Sequence, residues 1–281
     1  MRRIIFASAF LLTLYGCFMS SYNLNNVEQW FILLDYNPGH YTLDAEEASV
    51  YDLAILDPDE HPPLEDLSKL ILIAYVSLGE AETYRSYWKN VYDKDFIIEE
   101  NPYWEGNYLV DVRNTSWRAT IIEGVIPELL EKGFKGIMMD TIDTASFLES
   151  EDHEKFRGSA DAMVSFVKEI HERYPDLFLI SNNGFEVLDD IAPYISGMLV
   201  ESIYMSYNPD TEEDIAVSEE DREYKLYYLQ RLQEEYKLPV FAVDYISSDD
   251  MPLIRDTAER LRLLGFKPYI AKRGLKELYK N

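Results

Sequence analysis

Short, continuously apolar runs rich in β-branched residues recur along this chain, and most are followed by a longer stretch with helical spacing. That alternation limits the fold more than any other feature. A strand that is apolar on both faces cannot face water on either side, so the runs imply a parallel sheet covered by helices. The spacing predicts strands at Trp30–Asp35, Tyr51–Asp57, Leu70–Ser77, Gly136–Thr141, Leu177–Asn182, Gly197–Ser202, Val240–Tyr245 and Pro268–Ala271. The clearest helices are expected at Trp117–Lys132, Glu154–Tyr174, Ser218–Tyr236 and Asp250–Leu264. Gly133 and Gly265 stand where a helix C-terminus favours a left-handed residue, and Pro175 and Pro239 act as stops in equivalent places. Eight strands in a domain of about 250 residues match a (β/α)8 TIM-type barrel. The first half is irregular: Pro58–Ser68 leaves room only for a short helix, and a ninth run, Asn107–Val112, reads as an insert after strand three. A doubly wound open sheet is the alternative α/β architecture. No G-x-G-x-x-G or G-x-x-x-x-G-K-[ST] follows any strand, which removes the usual nucleotide reading.

The chain has 281 residues, 47% hydrophobic and 14% aromatic, which excludes a disordered polymer. Its 26 Lys and Arg face 52 Asp and Glu, a formal charge of −26. Such a surface repels phosphate backbones, so no nucleic-acid partner is expected; it attracts cationic ones, a cationic polymer above all. Solubility alone would also explain the surplus. A single Cys excludes a disulfide framework and a Cys-based zinc site within one chain. Residues 1–16 read as a signal peptide, with Arg2 and Arg3 ahead of the apolar run Ile4–Leu14. The run ends in Leu14-Tyr15-Gly16-Cys17, which resembles a bacterial lipobox with Cys17 as the lipid attachment site, although Tyr15 is less usual there. A simple cleaved export signal is the alternative. Residues 17–28 are then expected as a tether and 29–281 as one barrel domain, exported, touching membrane only through the N-terminal lipid.

Polar residues gather at the C-terminal ends of all strands but the last: Asp35, Asp57, Ser77 to Glu80, Asp140 to Asp143, Asn182-Asn183, Glu201 and Asp244. In a parallel barrel these ends meet at one mouth, where active sites are built. A single such residue usually caps the next helix. The whole set is harder to assign to capping, especially where Ile137-Met138-Met139 runs into Asp140 and Met198-Leu199-Val200 into Glu201. A carboxylate at the edge of an apolar core is costly, and such costs are commonly met at functional sites. Two opposed carboxylates are the minimal equipment for glycoside hydrolysis. Asp140 and Glu201 end strands two apart, so they could face one another across a sugar. Tyr84, Tyr87, Trp88, Tyr103, Trp104, Tyr204 and Tyr207 follow strands three and six as candidate sugar platforms, though some of the 22 Tyr must be core or incidental surface. Arg85, Arg113 and Lys89 are scarce cations, expected to pair with carboxylates such as Glu80 or Asp111.

Other schemes find less support. His40, His61, His153 and His171 follow no main strand, and there is no G-x-S-x-G elbow. The Asp57-Pro58-Asp59-Glu60-His61 segment reads as an acidic turn rather than a metal site. No metal and no cofactor are expected.

Tyr75-Val76-Ser77-Leu78-Gly79-Glu80-Ala81-Glu82, with Tyr84-Arg85 and Tyr87-Trp88, resembles the strand-three signature of glycoside hydrolase family 114, which contains endo-α-1,4-polygalactosaminidases. Val110 to Arg113, Gly136 to Asp143, Asn182-Asn183-Gly184, Val200 to Tyr204 and Val243-Asp244-Tyr245 match in family order. The resemblance implies an exported (β/α)8 barrel that cleaves α-1,4-linked galactosamine polymers, with Asp140 and Glu201 as its catalytic carboxylates. It implies supporting roles for Glu80, Arg85, Asp111, Asp143, Asn182 and Tyr204. Asp35, Tyr75, Trp88 and Asp244 complete the expected substrate contacts. The short segment between strands two and three and the acidic Asp210–Asp221 loop depart from the family pattern. The expected reaction is retaining, with Asp140 as nucleophile and Glu201 as acid and then base; inversion is the alternative. A lipid-anchored carbohydrate-binding protein that does not cut is the alternative function.

Overall fold

Eight parallel strands form the centre of the computed structural model, which describes residues 22–208, 211 and 213–278. In chain order the strands are β1 (Trp30–Leu33), β2 (Leu53–Leu56), β3 (Ile71–Ser77), β4 (Glu80–Glu82), β5 (Ile97–Glu100), β6 (Asn107–Val110), β7 (Gly136–Asp140), β8 (Phe178–Asn182), β9 (Gly197–Glu201), β10 (Met205–Asn208), β11 (Glu213–Ala216), β12 (Val240–Tyr245) and β13 (Lys267–Ala271). The large sheet runs β1-β2-β3-β7-β8-β9-β12-β13 and curls into a nearly closed TIM barrel with helices between its strands. At the seam between β13 and β1, Pro268 offers no N–H to a ladder. Trp30 Nε1 donates instead to the Lys267 carbonyl (3.1 Å), and Leu34 N to the Leu275 carbonyl (3.1 Å).

The barrel strands are buried on both faces, as continuous apolar runs require. Inside the barrel, Trp30 packs edge-on against Phe241 with ring centroids 5.1 Å apart, and Tyr269 lies 5.5 Å from Trp30. Ile55 pairs with Ile73, and Met138 lies in register with both Tyr75 and Ile180. Leu24 and Val27 are also buried in this core, and Lys267 Nζ donates to the carbonyls of Asn25 and Val27. The packed domain thus begins within the stretch read as a tether. Residues 1–16 and Cys17 lie outside the described residues.

Every expected barrel strand is present, and the Asn107–Val112 run is β6, paired antiparallel with β4 and β5 in a small sheet above β3. The helices differ more. The expected Glu154–Tyr174 helix is divided at Gly158, whose φ of +83° breaks the spiral between His153–Phe156 and Ser159–Arg173. A further helix, Thr144–Glu151, precedes it. The Trp117–Lys132 expectation corresponds to a continuous helical run, Thr115–Ala119, a π-helical Thr120–Val125 and Ile126–Lys132, ended by left-handed Gly133. Ser218 and Asp250 cap Glu219–Arg231 and Met251–Leu263 through side-chain oxygens. Within the acidic stretch after β9, β10 and β11 pair as an antiparallel ribbon. No helix among the described residues is long and apolar enough to cross a membrane.

Candidate active site

Side chains alternate across a strand, and the ladder register carries that alternation from strand to strand around the barrel. Tyr75 and Met138 are in register and so are Ser77 and Asp140, so Asp140 shares the inward parity of Tyr75 and Ser77. Asn182 pairs with Leu199, two residues before Glu201, and Glu201 pairs with Val243, two before Tyr245. Asp140, Asn182, Glu201 and Tyr245 therefore share the face toward the barrel axis. Asp244 has the opposite parity.

Asn182 Nδ2 donates to Asp140 Oδ1 at 2.8 Å, orienting that carboxylate from the neighbouring strand. Thr141, directly after Asp140, has φ +56°, a rare conformation for a β-branched residue. Three contacts hold it: Gly79 N donates to Thr141 Oγ1 (2.8 Å), Ser77 Oγ lies 2.8 Å from the same oxygen, and Thr141 Oγ1 donates to the Asp140 carbonyl (2.7 Å). A Cβ on Gly79 would lie 2.3 Å from the Thr141 carbonyl, so only glycine lets the β3 exit approach this closely. On the other flank, Asn183 Oδ1 accepts from the Glu201 N–H at 3.2 Å.

The mouth sets the protonation of several groups. Burial first, and then the charge of Asp140, raise the Glu201 carboxyl to about 7; Arg273, the Tyr245 hydroxyl and Lys225 moderate the rise. Asp143 is an exposed residue at the rim, yet desolvation of its carboxyl, followed by the charges of Asp140 and Glu186, lifts it to about 6. Glu80 is pushed up by its burial, with Asp140 and Glu82 adding to the rise and the side chains of Asn101 and Asn107 opposing it. One Glu80 oxygen accepts from Asn101 Nδ2 (2.9 Å); the other, Oε2, is buried and has no partner. Such an oxygen is costly to leave unpaired and suits a ligand donor. Burial and then the Asp140 charge raise the Tyr75 hydroxyl, which bears on Asp140.

Tyr75, Glu80, Asp143 and Asn182 thus gather around Asp140, while the other expected site residues have different surroundings. Arg85 is buried with its donors committed to carboxylates: Nη1 and Nη2 to Asp57 (2.9 and 2.7 Å), Nη1 also to Asp59 (3.1 Å) and Nε to Glu82 (2.8 Å). Its partners are therefore Asp57, Asp59 and Glu82, not Glu80 or Asp111, and the 57–61 segment is an Arg85-bound acidic turn. Asp111 pairs with Arg113 through both oxygens (2.8 and 2.7 Å), and Arg113 Nη1 also donates to the Arg157 carbonyl (3.1 Å). The Trp88 ring packs 5.0 Å from Tyr108 within the β4–β6 excursion. Arg260 covers the Tyr204 ring at 3.8 Å. Asp35 is exposed beyond β1 and pairs with Lys276 at 2.7 Å.

Asp244, expected at the mouth, is fully buried, and its two oxygens accept from the N–H groups of Ile203, Tyr204 and Met205, each at 2.8 Å. It fixes the chain as it leaves Glu201. Sequence reading missed Tyr245 and Arg273, which bear on Glu201 from β12 and from just beyond β13. The exit of β13, Ala271-Lys272-Arg273, carried the signal, since it is the one strand end where cations stand in place of acids and amides. No group of three or more His, Cys, Asp or Glu among the described residues is arranged to hold a metal ion.

The family model described as glycoside-hydrolase family GH114 matches residues 19–281. A protein of Thermotoga maritima is 31% identical over 251 residues, covering 84% of this chain and 73% of its own. One of Deinococcus radiodurans is 29% identical over 277 residues, with coverage of 92% and 84%. Among solved structures, the glycoside hydrolase domain of PelA from Pseudomonas aeruginosa is similar with a TM-score of 0.75 at 24% identity, covering 90% of this chain and all of that domain. Aspergillus fumigatus Ega3, solved in complex with galactosamine, gives 0.66 at 15% identity, covering 89% of this chain and 92% of its own. Both likenesses are of the barrel fold.

Proposed function

Because the chain belongs to glycoside hydrolase family GH114, we propose that this glycosidase cleaves an α-1,4-linked galactosamine-type polysaccharide with Asp140 and Glu201 as its reacting carboxylates. The observation that carries the reading is their geometry: both face the barrel axis from the two strands flanking β8, and Glu201 is lifted to about 7. Asp140 attacks the anomeric carbon while Glu201 gives its proton to the departing glycosidic oxygen, so that bond breaks as a glycosyl ester forms on Asp140. Glu201, now a carboxylate, takes a proton from water, whose oxygen attacks the same carbon and releases Asp140. Two inversions give net retention. A carboxyl poised near neutrality suits a group that must hold a proton in one step and accept one in the next.

The galactosamine reading is supported by the acids around Asp140. Asp143 and Glu186, with the Glu80 carboxyl beside them, form an acidic wall that complements a protonated amine. Ega3, a relative in fold, binds galactosamine. Incubating the enzyme with galactosamine polymer, chitosan and neutral glycans and measuring new reducing ends tests the assignment. Release from the galactosamine polymer is expected, falling as salt rises because screening weakens capture of a cationic chain. Release from neutral glycans alone would overturn the substrate class, and a flat salt response would remove the electrostatic part.

The charged-then-apolar start of the sequence supports export, and Cys17 in its lipobox-like setting supports a lipid anchor. Expressed in a bacterium, the protein is expected in the membrane fraction, and Cys17→Ser is expected to move it to the soluble fraction. An unchanged distribution would remove the anchor.

A further inference from the structure

Arg273 is one of two cations that act on Glu201 at this acidic mouth, and unlike Lys225 it forms no ion pair among the described residues. Its guanidinium lies over two aromatic rings, 4.6 Å from the centroid of Trp104 and 5.4 Å from that of Tyr245. The two rings come from distant parts of the fold. Tyr245 ends β12, beside the strand that precedes Arg273, whereas Trp104 lies on the turn between β5 and β6, in the small sheet that rises from the β3 exit. Around the barrel, β1 and β2 separate the exits of β13 and β3. The Trp104–Arg273 stack therefore spans the rim, joining the excursion to the far wall of the mouth.

We propose that Arg273 is the positioning residue for Glu201, and that Trp104, reaching over the rim from the β4–β6 excursion, holds Arg273 in place. The inference rests on Glu201 being the acid of the reaction. Guanidinium planes stack readily on aromatic faces while their edges keep donors free, so Arg273 can be held by two rings and still point charge at a carboxyl. Glu201 pairs with Val243, two residues before Tyr245, so the ring that Arg273 covers stands on the strand beside Glu201 and on the same inward face. The groups acting on Glu201 include Asp140 from β7, Tyr245 from β12, Lys225 from the helix Glu219–Arg231, and Arg273. Asp140 raises the affinity of Glu201 for its proton, and Tyr245, Arg273 and Lys225 lower it. Lys225 is already engaged: it pairs with Asp221 at 3.1 Å and donates to the Ser202 carbonyl at 3.1 Å. Arg273 has no such competing carboxylate, so it is the adjustable cation of the set. The excursion thereby acts on the acid without touching it: whatever orders the exposed Trp104 also orders the charge beside Glu201.

The test is the pH dependence of kcat/KM on galactosamine polymer for the wild type and for Arg273→Gln, Arg273→Lys, Trp104→Ala, Trp104→Phe and Glu201→Gln. Loss of the cation leaves Glu201 protonated to higher pH, so the alkaline limb of Arg273→Gln moves up by about one pH unit, while Arg273→Lys keeps the limb near the wild-type position. Trp104→Ala moves it in the same direction by a smaller amount, and Trp104→Phe restores it. A uniform loss of activity in Arg273→Gln with the limb unmoved would make Arg273 merely structural and overturn the proposal. A limb unmoved in Trp104→Ala would overturn the part played by Trp104. Glu201→Gln separates the two levels: undiminished activity there would overturn the acid assignment itself.

Discussion

Glu201→Gln is expected to lose hydrolysis of galactosamine polymer by about 10²- to 10⁴-fold, the usual contribution of a positioned general acid. Asp140→Asn is expected to lose at least about 10³-fold, since an amide cannot replace the attacking carboxylate. Binding of the polymer should survive both changes, because Glu80, Asp143 and the aromatic rim remain. The pH profile supplies the sign. The first step needs Glu201 protonated, and its carboxyl is raised from the ordinary 4.5 to about 7, so kcat/KM falls as pH rises through that value. The same displacement affects stability. A carboxyl raised in the folded state contributes stability that is complete below its unfolded value and is lost as pH rises through the folded one. Glu201→Gln, which cannot ionise, should therefore melt above the wild type at pH 8, and the two should converge near pH 4. Equal melting temperatures at pH 8 would mean that the mouth does not hold this carboxyl against ionisation.

The second large effect is structural. Arg85→Met is expected to cost about 3–5 kcal/mol, because it leaves buried carboxylates without their counter-ion. Side-chain exposure is 7% for Arg85, 10% for Asp57 and 2% for Glu82, so water cannot take over the role of the guanidinium. Burial already pushes the Glu82 carboxyl up, with Arg85 and Tyr84 holding it back. Removing Arg85 raises it further, so the deficit of the variant should shrink toward acidic pH, where Glu82 takes a proton, and grow toward neutral pH. Denaturant melts at pH 5 and pH 8 measure this. A loss below 1 kcal/mol at both, with impaired polymer binding, would instead make Arg85 a sugar contact.

Arg85 also shows where sequence reading reached its limit. The barrel itself was legible because a strand buried on both faces writes itself as an unbroken apolar run, and Asp140 and Glu201 stood out as charges ending such runs. The partners of Arg85 were not legible, because Asp57 lies 28 residues away, just past the end of β2, whereas Arg85 follows β4, and only the folded chain brings the two together. Asp244 followed the same strand-end rule as Glu201, but alternation turns it away from the axis; register separates the two, and composition does not. Of the excursion only β6 was legible, as the Asn107–Val112 run; β5, half exposed, and β11 of the separate β10–β11 ribbon, largely exposed, carry no apolar signature of a core strand. Trp104 and Arg273 became neighbours only through that excursion.

The central claim is that Asp140 and Glu201 flank one anomeric carbon as nucleophile and acid. Azide rescue of the two alanine variants on an aryl α-oligogalactosaminide tests it most directly. In Glu201→Ala, the glycosyl ester on Asp140 should still form, and azide entering from the vacated side should give the α-glycosyl azide. In Asp140→Ala, azide should take the place of the missing nucleophile and give the β-glycosyl azide. Exchange of the two anomers between the variants, or no azide product from either, would contradict the assignment.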